Sequence, residues 1–265
     1  MLNKSQLAFY KENGYIVVKQ MISPDSFIGL FSTTVNLLKN YDDGLVNPSS
    51  EFNSWEDENF HRVMIAFREK YPERFSSVYQ AVQKSCSIAN LTSNQKILDH
   101  IAILLNDSPE NLSHTVSVLR MDPPRDKKNA FGFHQDSAYF DYPDYVFNQN
   151  IENNITCWLP MTKTDSTLGS VKLCAKSHTA GFHHDYTQLP VTRPIASDIT
   201  KQYDVVDLKL DAGDAAFFYG TLIHGSGQNI TSKIRFTFVT RYYRMLTEDF
   251  YLHPDVGEKF TGTNG

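Results

Sequence analysis

Ile234-Arg-Phe-Thr-Phe-Val-Thr-Arg-Tyr242 is a run written in twos. Ile234, Phe236, Phe238 and Tyr242 share one parity, and Arg235, Thr237 and Arg241 share the other. Successive side chains of a β-strand point to opposite faces, so the run predicts a strand with one apolar face and one face carrying guanidinium and hydroxyl groups. Four earlier stretches, 115–121, 155–161, 169–174 and 215–219, are also short, rich in β-branched and aromatic residues, and bounded by turn residues.

Upstream of His114 the period is helical. Leu7, Phe9 and Tyr10 lie on a short amphipathic segment closed by Asn13-Gly14, and residues 15–18 read as a strand. Ser23-Pro24-Asp25 opens a helix carrying Phe27, Leu30, Phe31, Thr34, Leu37 and Leu38, with Ser as cap and Pro at the first helical position. Residues 40–56 read as a loop. Further helices are expected at 57–69, 72–90 and 93–105, with Pro72 and Thr92 as start signals.

Helices followed by strands give an α+β protein with a mainly β core. Many strands with long loops suit a jelly-roll, cupin-like or double-stranded β-helix, with the N-terminal helices packed on one side. One domain is expected over 1–265, with a largely helical support region at 1–112, the β core at 113–245 and a Gly/Thr-rich tail at 253–265.

Composition narrows the function. With 41% hydrophobic and 21% charged residues the chain is not intrinsically disordered, and a net charge of −5 offers no basic field for a nucleic acid backbone. Cys86, Cys157 and Cys174 are odd in number and unclustered, which suggests neither a disulfide framework nor a thiolate zinc site. The N-terminal stretch lacks the apolar core of a signal peptide, and no apolar run reaches membrane-spanning length. A cytoplasmic protein acting on a small molecule, without nucleic acid or membrane partners, is expected. Its oligomeric state is left open.

Chemistry concentrates in two motifs, Phe131-Gly-Phe-His134-Gln-Asp136-Ser-Ala-Tyr-Phe140 and Phe217-Phe-Tyr-Gly-Thr-Leu-Ile-His224-Gly-Ser226. Two apart on a strand, His134 and Asp136 offer an imidazole nitrogen and a carboxylate oxygen to one ion. His-x-Asp alone is a weak signal, because 183–185 and 253–255 repeat it. His224 selects the first: it lies 90 residues beyond His134, enough for several strands, whereas it is 41 beyond His183 and no histidine follows His253. Two histidines and one carboxylate leave three adjacent positions open, the arrangement that lets non-haem iron(II) hold a bidentate cosubstrate and O2 together.

Arg235 lies eleven residues after His224 on an apolar strand, where an unpaired guanidinium is costly. It requires an anion. The distal carboxylate of 2-oxoglutarate satisfies it bidentately, and so does an internal salt bridge to Asp or Glu. Thr237, on the same face, and Ser226 add hydroxyls.

Together these residues resemble the phytanoyl-CoA dioxygenase family of iron(II)/2-oxoglutarate oxygenases. The resemblance runs from Phe9-Tyr-x-Glu-Asn-Gly14-Tyr-Ile-Val through His134-x-Asp136, Trp158, Gly169 to His178, Ala212-Gly-Asp214 and His224-x-Ser226 to Arg235. It implies a double-stranded β-helix, iron on His134, Asp136 and His224, and Arg235 on the cosubstrate carboxylate, with Trp158 and Ser226 lining the cosubstrate pocket. Trp158 is equally readable as core. The family often has Pro-Gly-Ser-His after its Gly-rich strand, where this chain has Cys174-Ala-Lys-Ser177-His178, a departure that bears on the turn geometry there. Related halogenases replace the metal carboxylate by a small residue, so Asp136 favours hydroxylation. The expected cofactors are Fe(II), 2-oxoglutarate and O2. A zinc hydrolase on the same triad and a non-catalytic jelly-roll binding module are the alternatives.

On the substrate side, Arg120 opens a charged, Pro-rich loop over 120–128 that suits a phosphate, carboxylate or thioester-carrier group. His183 and His184 lie in an insert where such folds place lids, Tyr139 and Phe140 suit an aromatic wall, and Arg241 has the parity of Arg235 nearer the barrel end.

Overall fold

The computed structural model of the chain describes residues 2–41, 44, 51–114, 117–126, 132–137, 154–181, 183 and 195–247. α1 (Lys4–Asn13) starts in a capping box: the Asn3 side chain accepts from Gln6 N, and the Gln6 side chain accepts from Asn3 N. β1 (Tyr15–Val18) follows. The Ser23-Pro24 start opens a 3-10 turn (Pro24–Phe27) that leads into α2 (Ile28–Tyr41). α3 (Glu58–Lys70) is capped by Asp57.

The expected helix over 72–90 is two helices, α4 (Pro72–Gln83) and α5 (Cys86–Thr92). Ser85 divides them by accepting from Ile88 N, because a serine that caps cannot also continue the helix before it. Thr92 therefore ends α5 rather than starting a helix, and Asn94 caps α6 (Gln95–Leu105).

The β core comprises β2 (Leu112–His114), β3 (Val118–Asp122), β4 (Asn154–Pro160), β5 (Val171–Cys174), β6 (Val205–Asp207), β7 (Ala215–Tyr219), β8 (His224–Ser226) and β9 (Arg235–Arg244). One sheet has the order β1-β7-β4-β9-β2, with β3 also on β9, and the other has β6-β5-β8. All of these pairs are antiparallel. The protein has the expected α+β architecture around a double-stranded β-helix, and the helices pack on the larger sheet. β2, β6 and β8 escape the periodicity because three residues are too few to display a period of two.

β9 carries the parity of its sequence into three dimensions. Phe236 and Phe238 are fully buried, and Phe236 meets Trp55 at 4.7 Å and Phe60 at 5.6 Å between ring centroids, joining the helices to the sheet. Burying each such ring contributes roughly 1.5–3 kcal/mol. The other face turns Val239 and Arg241 into the barrel.

Two of the motifs that carry the resemblance are structural. Asp214 accepts from Gln20 N, Asp211 N and Lys19 Nζ, binding the turn before β7 to the chain after β1. His178 stacks on Tyr219 at 4.9 Å, so close to Gly14 that a Cβ there would lie 2.4 Å from its Nδ1. Lys176 takes the left-handed conformation, φ 68°. Left-handed backbone is strained for any residue with a Cβ, and its ion pair with Glu12 is exposed on both sides. Lys176→Gly is therefore expected to raise the thermal midpoint by about 2–4 °C in a calorimetric scan.

Among the described residues no helix is long and apolar enough to cross a membrane. The three cysteines are free thiols, with Cys157 and Cys174 buried.

Candidate metal centre

His134 and His224 face each other across an isolated antiparallel bridge, with His134 N donating to His224 O at 2.7 Å and His224 N to His134 O at 2.8 Å. The bridge sets the two rings 4.3 Å apart between centroids. It also corrects the sequence reading: His134 and Asp136 share a face without lying on a regular strand, since Asp136 already begins a 3-10 turn. Gln135 is what holds them. Wholly buried, it donates to the carbonyls of Gly181 and Thr221 and accepts from His183 N, which turns it away from its neighbours.

Each ring is oriented from behind. His134 Nδ1 lies 2.8 Å from Gly132 O, and His224 Nδ1 lies 2.9 Å from Leu222 O. A carbonyl only accepts, so both Nδ1 atoms carry a proton, which leaves Nε2 as the nitrogen through which each ring can offer a lone pair to a metal. Each Nε2 lies 3.6 Å from Asp136 Oδ1. Burial, reinforced by the neighbouring His134, pushes the His224 pKa down to about 3, which keeps its ring neutral. Among the described residues this is the one group of three or more such donors gathered within 4.8 Å.

Asp136 is fully buried, and burial opposes its ionisation. Arg241, His224 and His134 together outweigh that, so the carboxyl is held well below the usual carboxylate range. Arg241 Nη2 donates to Oδ1 at 2.7 Å and Thr156 Oγ1 to Oδ2 at 2.7 Å. Arg241, expected near substrate, thus points inward as its parity requires but lands on the acidic member of the triad. The sequence reading missed Thr156, although its parity with Trp158 on β4 places both on the barrel face.

A cavity of about 330 Å³ opens over the triad. Trp158, Ser226, Arg120 and Arg241 line it together with Tyr79 from α4 and the apolar Val171, Val239 and Phe218. Trp158 is both core and lining, being 5% exposed. Arg120 belongs to β3 rather than to the loop, and its Nε and Nη2 donate to the two oxygens of Asp122. His183 touches Gln135 through its backbone but is not part of the lining, while Tyr139, Phe140 and His184 fall outside the described residues.

Arg235 and Thr237 continue the barrel face of β9 beyond Val239. The internal ion pair is present: Arg235 donates to Asp122 Oδ2 from Nε at 3.0 Å and from Nη2 at 2.6 Å. It leaves Nη1 buried without a hydrogen-bond partner, as is the Thr237 hydroxyl. Arg120 and Arg235 both donate to the Asp122 carboxylate, and Arg235 Nη1 and the Thr237 hydroxyl are two buried donors that require an acceptor. Gly169, at φ 84°, lets Nη1 lie where it does: a Cβ there would stand 3.0 Å from it and 2.5 Å from Gly227 O. Gly169→Ala is expected to lower stability by about 1–3 kcal/mol in urea unfolding and to displace the guanidinium.

The fold and this site define a double-stranded β-helix protein with a two-histidine, one-carboxylate centre, a donor set suited to non-haem iron(II). Similarity to known proteins runs the same way. The family model for phytanoyl-CoA dioxygenase (PhyH) matches residues 10–237, and the chain belongs to that family. It is 26% identical over 243 residues to the peroxisomal phytanoyl-CoA dioxygenase of Bos taurus, covering 89% of this chain and 66% of the relative, just under two thirds of its length. Among solved structures, the epimerase SnoN in complex with Fe3+, alpha ketoglutarate and nogalamycin RO superposes with a TM-score of 0.62 at 16% identity, over 91% of this chain and 83% of that one. The alpha-ketoglutarate-dependent carbocyclase SnoK superposes at 0.60 and 17% identity, over 94% and 88%. At such identities the likeness establishes the fold.

Proposed function

We propose that the chain is an iron(II)- and 2-oxoglutarate-dependent oxygenase that oxidises a C–H bond of a small molecule in the cytoplasm, with hydroxylation the favoured outcome. The observation that carries this is the pairing of two features on one barrel face: three metal donors with their lone pairs converging, and beyond them the buried, unpartnered Arg235 Nη1 and Thr237 hydroxyl. A metal site alone would suit a hydrolase as well. A cationic fork behind it with one buried nitrogen still lacking an acceptor has no role in hydrolysis and a direct one in holding a dicarboxylate.

His134, Asp136 and His224 would hold the iron, which supplies the position where 2-oxoglutarate and O2 are activated. Gln135 and the carbonyls of Gly132 and Leu222 keep the imidazoles aimed. Arg241 and Thr156 hold the Asp136 carboxylate ionised and in one rotamer. Arg235 Nη1 and Thr237 Oγ1 receive the distal carboxylate of the cosubstrate, with Arg120 supplying charge at the same end and Ser226 and Trp158 flanking it. The walls formed by Val171, Val239, Phe218 and Trp158 exclude water from the reacting centre.

The family's relatives direct the choice of substrates to try. With iron(II), 2-oxoglutarate and O2, succinate release should rise above the uncoupled background for at least one member of a panel of acyl thioesters, amino acids, phosphonates and polyketide-like acids. Zinc in place of iron should give none. Hydrolysis of an ester or amide with zinc, and no succinate with iron, would overturn the assignment.

A further inference from the structure

A second cavity, of about 1050 Å³, lies between α3 and the loops at 122–126 and 229–234. It is on the other side of β9 from the metal centre. His61, which lines it, meets Phe236 at 5.7 Å between ring centroids and the backbone of Ile234, on the face opposite Arg235 and Arg241.

The chemistry of its wall is specific. His61 is 2% exposed, and its Nδ1 accepts from Ile234 N at 3.1 Å. That bond occupies the Nδ1 lone pair, so the neutral ring carries its proton on Nε2. The ring is neutral because burial, then Lys233, push its pKa down to about 4 against the pull of Asp57. Nε2–H is therefore an obligatory donor, and it is buried without a partner. Such a donor is costly unless an oxygen meets it.

Three cations, Arg62, Arg125 and Lys233, stand on the same wall against two carboxylates, Glu58 and Glu69. Arg62 also donates to Asn59 Oδ1 at 2.6 Å. The loop that presents Arg125 is fixed: Arg125 N donates to Asn229 O at 2.8 Å, the residue stands at φ 56°, and its neighbour Asp126 is paired with Arg68 of α3. It is the part of the charged stretch beyond Arg120 and Asp122, and it does not line the metal-centre cavity.

We propose that this cavity is a second binding site, separate from the metal centre, for a single phosphate or carboxylate group held by His61 Nε2–H, Lys233 and Arg125. The two glutamates limit it to a compact anionic group and exclude a polyanion.

Histidine-labelled (15N) full-length chain, titrated at constant ionic strength with inorganic phosphate and separately with acetate, reads the site directly. The Nε2–H signal of His61, assigned by its loss in His61→Gln, should shift saturably with at least one of the two anions, and the one that binds tighter gives the class. Arg125→Ala and Lys233→Ala, both outside the core, should each weaken that binding roughly tenfold or more. Iron and 2-oxoglutarate binding should be unchanged in both, so failure here leaves the metal-centre reading untouched. No saturable shift with either anion, or an unaltered curve in the double variant, overturns the proposal.

Discussion

Asp136→Ala is expected to abolish measurable iron(II) binding and, with it, all consumption of 2-oxoglutarate. Changing a partner that only orients a metal ligand already costs about 10–100-fold in metal affinity, and this change removes the candidate ligand itself, the carboxylate that both imidazoles face at 3.6 Å. It also strips Arg241 and Thr156 of their acceptor. Deleting one partner of a buried ion pair costs about 3–5 kcal/mol, so part of any lost activity could come from lost fold. Asp136→Asn separates the two effects. It keeps the shape and the Thr156 contact, removes the charge, and should still lose iron in equilibrium dialysis while retaining the circular dichroism of the parent.

Arg235→Lys is expected to raise the KM for 2-oxoglutarate by roughly 10–100-fold and to leave iron affinity unchanged. A lysine keeps the charge beside Asp122 but has no planar fork with which to hold Asp122 and a second carboxylate together. A charge-assisted hydrogen bond is worth about 1.5–3 kcal/mol, which sets that range. Were Arg235 only the partner of Asp122, the same substitution would change stability and leave KM alone.

How much of this the sequence carries can be judged residue by residue. The strand 234–242 is legible because its two faces meet different surroundings, Phe236 and Phe238 the helices and Arg241 the barrel. The triad is legible because metal donors need particular residue types, and the distance along the chain from His134 to His224 discriminates among the three His-x-Asp pairs. The local geometry of the triad is not. A single bridge and a 3-10 turn leave no periodicity to detect, and the work of Gln135 depends on the Gly181 and Thr221 carbonyls, which are distant in sequence.

Arg235 shows the same boundary. Its residue type and place on an apolar strand call for an anion and allow two answers; the fold supplies the internal salt bridge, with Asp122, and leaves Nη1 buried without a hydrogen-bond partner. Arg241 was placed on the correct face by parity alone, but its partner, 105 residues earlier in the chain, follows from strand order. Within 72–90, helical periodicity continues through Ser85 because the apolar spacing survives a break that only the cap reveals.

Anaerobic absorption spectroscopy tests the iron-and-cosubstrate reading most directly. Iron(II) and 2-oxoglutarate added together should produce a weak visible charge-transfer band that neither gives alone, that is absent in Asp136→Ala, and that needs more cosubstrate in Arg235→Lys. Iron bound by the parent chain with no band at any concentration of 2-oxoglutarate would contradict it.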